Sequence, residues 1–330
     1  SYAGGRMYKM IMAPTDGSGF DREAIRVALQ IAERSRAKVR LVRVHCTGAF
    51  FGMEPSLETA TVSVKVLELE RERILDDLNN LAAECRKVTD ASIEVSLEDG
   101  PVPDALHAYA KRNNVDLIVM SSHGRGGIAR LTLGSVTDSL IRCTTIPVLV
   151  VKPHPSYVSS LVPEPFKRII VPLDGSSVAE QILPDVVALA KLEESELTLL
   201  RVVVPRTSSQ KAIANECTPW WDKDVAAAEA YLFRTADNLR EDGIRTKTDV
   251  VIGENIAQSI ADYAGRECAD LVAIATHGRG GLARALVGSV ADAVTRTSHT
   301  SLLVLRSVGA VEKRVPAKQT HLPDGMPVIA

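Results

Sequence analysis

The chain has 330 residues, of which 45% are hydrophobic and 24% charged, and its formal net charge is −2. This balance is typical of folded globular proteins, and the length accommodates two ordinary domains. A charge so near zero provides no basic field for nucleic acid or an anionic membrane surface, and no apolar run approaches the roughly 20 residues of a membrane span. The five cysteines are scattered without a C-x-x-C pair, which indicates reduced thiols and no metal cluster. We therefore expect a cytoplasmic protein without nucleic-acid or membrane partners.

The sequence repeats itself once. Two segments return with few changes: MIMAPTDGS (10–18) as IIVPLDGSS (169–177), and DLIVMSSHGRGGIARLTLGSVTDSL (116–140) as DLVAIATHGRGGLARALVGSVADAV (270–294). A repeat of this length indicates a duplicated domain. The predicted organisation is domain 1 at 7–152, a proline-containing linker at 153–165, domain 2 at 166–306 and a C-terminal tail at 307–330.

Hydrophobic patterns predict alternating strands and helices in each copy. In the first copy the predicted strands are 8–14, 38–45, 92–97, 115–122 and 146–152. After the first strand, Ala24, Val27, Ala28, Ile31 and Ala32 recur at helical spacing and predict a helix with one buried stripe. The second copy repeats the strands at about 167–173, 196–204, 244–252, 270–276 and 301–306.

Two of the predicted strands are apolar without alternation, at Leu117–Met120 and Val148–Val151. That pattern is typical of a parallel sheet covered by helices on both faces. We therefore predict an α/β protein with two tandem doubly wound domains, each a five-stranded parallel sheet with helices on both faces.

A Gly-rich segment follows the fourth strand of each copy: SSHGRGGIARLTLGSV (121–136) and ATHGRGGLARALVGSV (275–290). In an open parallel sheet, ligands bind beyond the carboxyl ends of the strands, where the strand order reverses. Glycines let backbone N–H groups approach phosphate oxygens, and a helix beginning at Ser135 or Ser289 adds donors and a favourable dipole. The segment is neither a P-loop nor a dinucleotide fingerprint, because G-K-[ST] and G-x-G-x-x-G are absent from the required places.

These residues resemble the universal stress protein family over about 7–152 and 166–306, as in a tandem member. The ATP-binding form of that family carries Gly-x-x-Gly, nine residues, and then Gly-Ser or Gly-Thr. The matching positions are Gly124 with Gly134-Ser135 and Gly278 with Gly288-Ser289. The leading Gly of the family falls at Ser121 and Ala275, which place a Cβ where the family has bare backbone.

The resemblance implies a strand order of 3-2-1-4-5 in each domain. It also implies that the fifth strands, 146–152 and 301–306, pair across a pseudo-two-fold axis inside the chain. That pairing would protect two apolar sheet edges from aggregation. A homodimer of two chains is a further association left open by the sequence.

By the same resemblance, Asp16 and Asp174 contact the adenine or ribose, and the second-strand backbone near Val44 and Val202 contacts the adenine. The site of domain 1 is expected to be slightly better equipped to bind a nucleotide, because Thr137 offers a hydroxyl contact that its counterpart Ala291 lacks. The expected nucleotide-binding residues are Pro14, Thr15, Asp16, Val44, Ser121, Gly124, Gly127, Gly134, Ser135, Val136 and Thr137 in domain 1, and Asp174, Val202, Gly278, Gly281, Gly288, Ser289 and Val290 in domain 2.

The resemblance implies a cytoplasmic stress-response protein that binds ATP or AMP in one or both domains, with or without Mg²⁺. The alternative is an interaction or scaffold member of the family without nucleotide, which Ser121 and Ala275 favour. We expect no catalytic residue and at most slow ATP hydrolysis, because no residue is spaced to activate water and no Walker-type magnesium ligand is present. His123 and His277 are expected to orient the Gly-rich segments. An adenylyl-transferring enzyme is disfavoured, because H-x-G-H and S-G-G-x-D-S are absent.

Overall fold

The structure, a computed structural model, describes residues 8–46, 57–122, 133–152, 166–205, 220–278, 289–298 and 300–308. In the first half, strands β1 to β5 span Met10–Pro14, Lys38–His45, Ser92–Asp99, Leu117–Ser121 and Val148–Val151. The helices between them, α1 to α4, span Arg22–Ser35, Leu57–Cys85, Val102–Arg112 and Ser135–Cys143. Each predicted strand of the first copy is therefore present with small changes at its ends.

The second half repeats this alternation. Strands β6 to β10 span Arg168–Pro172, Glu196–Val203, Arg245–Ile252, Leu271–Gly278 and Ser301–Val308. Helices α5 to α8 span Leu183–Glu193, Trp220–Glu241, Ile256–Arg266 and Ser289–Thr297, and a short 3₁₀ turn at Ala179–Ile182 precedes α5. Strand β10 extends two residues into the predicted tail, because Ser307 and Val308 continue the parallel pairing with His277 and Gly278.

The strands of both halves form one sheet, in the order β3-β2-β1-β4-β5-β10-β9-β6-β7-β8. Within each half the strands are parallel and their order is 3-2-1-4-5, which confirms the predicted fold class. The fifth strands meet in the middle and run antiparallel, with Leu303 opposite Leu149. The pairing of fifth strands inside one chain is therefore also confirmed.

Two apolar clusters cover the two faces of the sheet, and each one runs through both halves. One cluster lies under α1, α2, α5 and α6, and the other lies under α3, α4, α7 and α8. Strand β5 contributes Leu149 and Val151 to the first cluster and Val148 and Val150 to the second. Burying each such side chain stabilises the fold by about 1.5–3 kcal/mol, and this two-sided burial is why β5 has no polar alternation.

Polar contacts join the halves on both faces of the central strand pair. On one face, the fully buried carboxylate of Glu193 accepts hydrogen bonds from Gln30 Nε2 (3.0 Å) and Arg34 Nη1 (2.6 Å) of α1. On the other face, Arg142 of α4 pairs with Asp138 Oδ2 at 2.8 Å and reaches Asp292 Oδ1 of α8 at 3.2 Å. Burial raises the pKa of Glu193, and the positive charge of Arg34 opposes that rise.

Lys152 adds a third connection between the halves. It follows β5 directly, is 8% exposed, and donates from Nζ to the carbonyl of Thr295 (3.0 Å) and to that of Ser298. These acceptors belong to the C-terminal end of α8, where carbonyls lack partners within the helix. Burial lowers the pKa of the Lys152 amine to about 8.

We expect the contribution of Lys152 to stability to depend on pH. Its pKa falls from about 10.5 to about 8 on folding, so the unfolded chain binds more protons between these values. The stabilising contribution is thus present above the unfolded pKa and is lost as pH falls through about 8. Relative to Lys152→Met, the wild-type free energy of unfolding should rise by up to about 3 kcal/mol between roughly pH 7 and pH 10. Urea denaturation of both proteins measures this, and a difference that does not change with pH would contradict it.

Candidate functional site

The sheet topology brings several of the predicted site residues to one edge. Strand β1 lies between the parallel strands β2 and β4, so the chain order reverses at β1. At the carboxyl ends of these strands lie Asp16, Val44 and Ser121, and α4 begins close by at Ser135. Domain 2 repeats the arrangement with Asp174 and Val202. A reversal point of this kind is where doubly wound sheets bind ligands.

The Asp-Gly-Ser turns hold the two aspartates in the same way. Asp16 Oδ1 accepts from the N–H of Ser18 at 2.8 Å, and Asp174 Oδ1 accepts from the N–H of Ser176 at 2.9 Å. The intervening glycines have φ of +74° at Gly17 and +82° at Gly175, a conformation that side chains resist. Each carboxylate is therefore fixed by its turn at the edge of the sheet.

Thr15 is a structural part of the first turn. It is 7% exposed, its N–H donates to the carbonyl of Val42 at 2.9 Å, and its hydroxyl contacts the Asp21 carboxylate. The same hydroxyl oxygen accepts from the N–H of Gly17 at 3.1 Å. Pro14, the residue before it, ends β1 and is half-buried beside Val42. These contacts give Thr15 and Pro14 a supporting position beneath Asp16.

The start of α4 divides its backbone amides into two groups. The N–H of Gly134, the N-cap, donates to the carbonyl of Ser122 at 2.8 Å, so this amide holds the helix to the end of β4. The next three residues, Ser135, Val136 and Thr137, form the first turn, whose amides have no acceptor carbonyl within the helix. Such amides and the helix dipole favour an anion.

Thr137 does not offer its hydroxyl proton to a ligand in this structure. The side chain is 3% exposed, and Oγ1 donates to the carbonyl of Ser121 at 3.2 Å. The hydroxyl that made the first site look better equipped therefore joins α4 to β4. Its counterpart Ala291 is 2% exposed and fills the same place without a hydrogen bond from its side chain.

A cavity of about 240 Å³ opens at the equivalent edge of domain 2. Three predicted residues line it: Asp174, Val202 and Val290. Its other walls are mostly aliphatic and comprise Pro172, Leu173, Ala179, Leu200, Arg201, Ile256, Ile260, Ile274, Ala275, Thr276 and Ala291. An apolar hollow with an aspartate at its edge suits a flat heteroaromatic base with polar groups on its rim.

Sequence reasoning missed part of this wall. Ile256 and Ile260 lie one turn apart on α7 and close the cavity from above the sheet. Tyr263, on the same helix, is 4% exposed and donates to Asp249 Oδ2 at 2.8 Å. Burial and this carboxylate raise the pKa of Tyr263, so the phenol stays protonated and anchors α7. The helical spacing of Ile256, Ile260 and Tyr263 was the signal that could have identified the wall.

In domain 1 a larger, polar cavity of about 880 Å³ lies between the Asp-Gly-Ser turn and α2. Asp16, Arg43 and Val44 line it at the edge of the sheet. Charged side chains of α2 complete its wall at Glu70, Arg73, Asp77 and Glu84. The two domains thus present different surroundings to equivalent aspartates.

Several predicted residues fall where the structure gives little or no information. Gly124, Gly127, Gly281 and Gly288 lie outside the described residues, as does His123. Gly278 is described as the last residue of β9 and Ser289 as the first residue of α8, in backbone only. Their proposed contacts with phosphate stay predictions.

The fold defines a doubly wound α/β protein with a candidate ligand site at the reversal of strand order. The family model described as Universal stress protein family matches residues 7–152 and 165–306. The chain therefore belongs to the universal stress protein family and is a tandem member of it. Within the described residues, no group of three or more His, Cys, Asp or Glu is arranged to hold a metal ion. None of the described helices is long and apolar enough to cross a membrane.

Individual relatives agree with this assignment. Universal stress protein MJ0531 of Methanocaldococcus jannaschii is 32% identical over 149 residues, which is 45% of this chain and 85% of that protein. Universal stress protein Rv2005c of Mycobacterium tuberculosis is 30% identical over 211 residues, covering 62% of this chain and 66% of that protein, just under two thirds of its length. The crystal structure of a universal stress protein from Archaeoglobus fulgidus has a TM-score of 0.66 at 17% identity, covering 90% of this chain and 98% of that one. That similarity supports the fold.

We expect Thr137→Val to affect stability more than ligand binding. Removing the buried hydrogen bond to the Ser121 carbonyl should lower the free energy of unfolding by about 1–2 kcal/mol. Affinity for nucleotide should change less than about twofold, because the hydroxyl proton is already engaged away from the ligand. Denaturation and calorimetric titration measure the two quantities. A loss of affinity without a loss of stability would contradict the expectation.

Proposed function

We propose that this chain is a stress-response protein that binds an adenine nucleotide, ATP or AMP, in one or both domains and acts as a regulatory or protective binding protein. The observation that carries the proposal is the cavity in domain 2. It combines aliphatic walls, an aspartate fixed by its turn and the first turn of a helix in one hollow of about 240 Å³. Membership of the universal stress protein family supports the stress role.

The base and the phosphates would occupy different parts of the edge. The aliphatic wall from Ile256 and Ile260 suits the base, and Asp174, which lines the same cavity, would accept hydrogen bonds from the base or ribose. The phosphates would lie against the first-turn amides of α8 in domain 2 and of α4 in domain 1. The leading-Gly positions carry small side chains: Ser121 is the last residue of β4, and Ala275 lies three residues before the end of β9.

Mg²⁺ enters the proposal only with the nucleotide. The described residues contain no cluster of three or more metal-binding side chains, so the ion would be held mainly by phosphate oxygens and water, as Mg²⁺ prefers. We propose no catalytic residue and at most slow hydrolysis. A cytoplasmic location, the absence of nucleic-acid partners and a homodimer of two chains stay predictions.

The direct test uses the purified full chain. Heat denaturation should release a nucleotide that mass spectrometry identifies as ATP or AMP, and calorimetry of the stripped protein should show rebinding. If no nucleotide is released and ATP, AMP and cyclic AMP all fail to bind, the proposal is wrong. The interaction or scaffold function that Ser121 and Ala275 favour would then take its place.

Removing one aspartate at a time should separate the two sites. Asp16→Ala and Asp174→Ala each remove the carboxylate from one domain, and each should weaken that site by roughly tenfold to a hundredfold. The stoichiometry in calorimetry should then fall from two nucleotides to one if both sites fill. Asp16→Asn and Asp174→Asn are matched controls, since the amide oxygen can keep the turn hydrogen bond while the charge is lost. Unchanged affinity in both alanine variants would exclude the aspartates from the site.

A further inference from the structure

Two arginines hold equivalent positions in the two domains outside the set expected from the family. Arg43 and Arg201 stand in the segments LVRV (41–44) and LLRV (199–202), directly before Val44 and Val202. Other positions of the two sites have diverged, for example Thr15 and Leu173, or Thr137 and Ala291. The arginine is thus one of the positions that the two sites still share, although others have diverged.

Each guanidinium lies against the glycine of the Asp-Gly-Ser turn. A Cβ on Gly17 would stand 2.8 Å from Nη1, 3.1 Å from Cζ and 3.3 Å from Nη2 of Arg43. These similar distances show that the flat guanidinium covers the glycine with one of its faces. In domain 2, a Cβ on Gly175 would stand 2.9 Å from Nη1 of Arg201 but 3.9 Å from Cζ, so this guanidinium approaches the glycine with its Nη1 end. The glycines therefore serve two purposes, since they allow a positive φ and leave room for the arginine.

Neither arginine has a hydrogen bond or an ion pair among the described residues, although both are half-buried. Two other half-buried arginines do have such partners, since Arg40 pairs with Glu94 and Arg142 with Asp138, whereas Arg26 and Arg306 resemble Arg43 and Arg201 in having none among the described residues. A guanidinium without a carboxylate partner keeps its charge and its second face available to a ligand.

The position of these arginines indicates which part of a nucleotide they would meet. Arg201 lines the cavity of domain 2 together with Asp174 and Val202, and Arg43 lines that of domain 1 with Asp16. Strand β2 is separated from β4 by β1, so its end lies roughly 10 Å from the β4 end where α4 begins. The arginines are therefore at the base end of the candidate site, away from the helix start that suits phosphate.

We propose that Arg43 and Arg201 stack their guanidinium groups on the purine ring of the bound nucleotide. In domain 1 the turn glycine covers one face of the guanidinium and the ring would cover the other, whereas in domain 2 the glycine touches the Nη1 end of Arg201 and the ring would lie on a face. Such stacking is favoured by the planar charge of arginine and the π-system of the base. This inference rests on the proposed function, because it assigns the contact that recognises the base.

The test compares ligands that share the ring and differ in phosphate: ATP, AMP and adenosine. In the double variant Arg43→Ala/Arg201→Ala, the dissociation constants of all three should rise by the same factor, roughly fivefold to thirtyfold. The double variant Arg43→Lys/Arg201→Lys keeps the positive charge but lacks the planar guanidinium group, and it should lose nearly as much affinity. A loss that grows with the number of phosphates and is restored by lysine would make the arginines phosphate ligands and overturn the proposal. Unchanged affinity would overturn it too.

Wild-type protein distinguishes a failure of the proposed function from a failure of the stacking proposal. If it binds none of the three ligands, the proposed function itself fails; if it binds them and only the arginine variants behave differently from expectation, the stacking proposal alone fails. Arg234→Ala, which removes an exposed arginine from α6, is the control for a general loss of positive charge and should bind all three ligands as the wild type does.

A matched pair of glycines tests the contact from the other side. Gly175 and Gly243 both have φ of +82°, but a methyl group at Gly175 would meet Arg201 at 2.9 Å, whereas one at Gly243 would meet nothing within 4 Å. Gly175→Ala and Gly243→Ala should lower thermal stability to a similar extent. Both glycine variants are measured in an Asp16→Ala background, which weakens the site of domain 1. In that background only Gly175→Ala should weaken adenosine binding in domain 2, by about the factor seen for Arg201→Ala. Equal adenosine affinity in the two glycine variants would contradict the proposal.

Discussion

The antiparallel pairing of β5 with β10 is the constraint on which the rest of the molecule depends. Strand β5 is four residues long, and all four of its side chains are buried. Without β10 its backbone donors and acceptors would form an apolar edge of the kind that aggregates. Both apolar clusters also extend across the β5–β10 pair from one half into the other. The two domains therefore share both apolar clusters, one on each face of the common sheet.

Much of the fold could be predicted because its signals are local and appear twice. The unbroken apolar runs at Leu117–Met120 and Val148–Val151 indicate strands buried on both faces, and the stripe from Ala24 to Ile31 indicates a helix lying on them. The contacts that hold the halves together could not be predicted, because they depend on side chains brought together only by the folded chain. From the sequence alone, Glu193 would be predicted to be an exposed charge on a helix, yet it is fully buried beside Arg34. Lys152 likewise reads as the polar end of a strand, yet it holds the end of α8.

The candidate site was predictable in position more than in detail. As expected from the sequence, Asp16, Asp174 and the first turn of α4 all lie beyond the carboxyl ends of parallel strands. The strand order and the Asp-Gly-Ser turns place them there. The role of each polar group depends on its nearest partner, which a sequence does not specify. The Thr137 hydroxyl is engaged with a strand carbonyl, and the Gly134 amide is engaged with Ser122. Ile256 and Ile260 become cavity walls only because α7 lies across the end of β7.

The direction of β10 also determines where the two sites open. Since β10 is antiparallel to β5 and every other neighbouring pair of strands is parallel, the second domain points its strands opposite to the first. The aspartate of one domain and the aspartate of the other consequently emerge at opposite ends of the molecule. A macromolecule docked over one entrance would leave the other open to solvent. The two candidate sites therefore lie at opposite edges of the shared sheet.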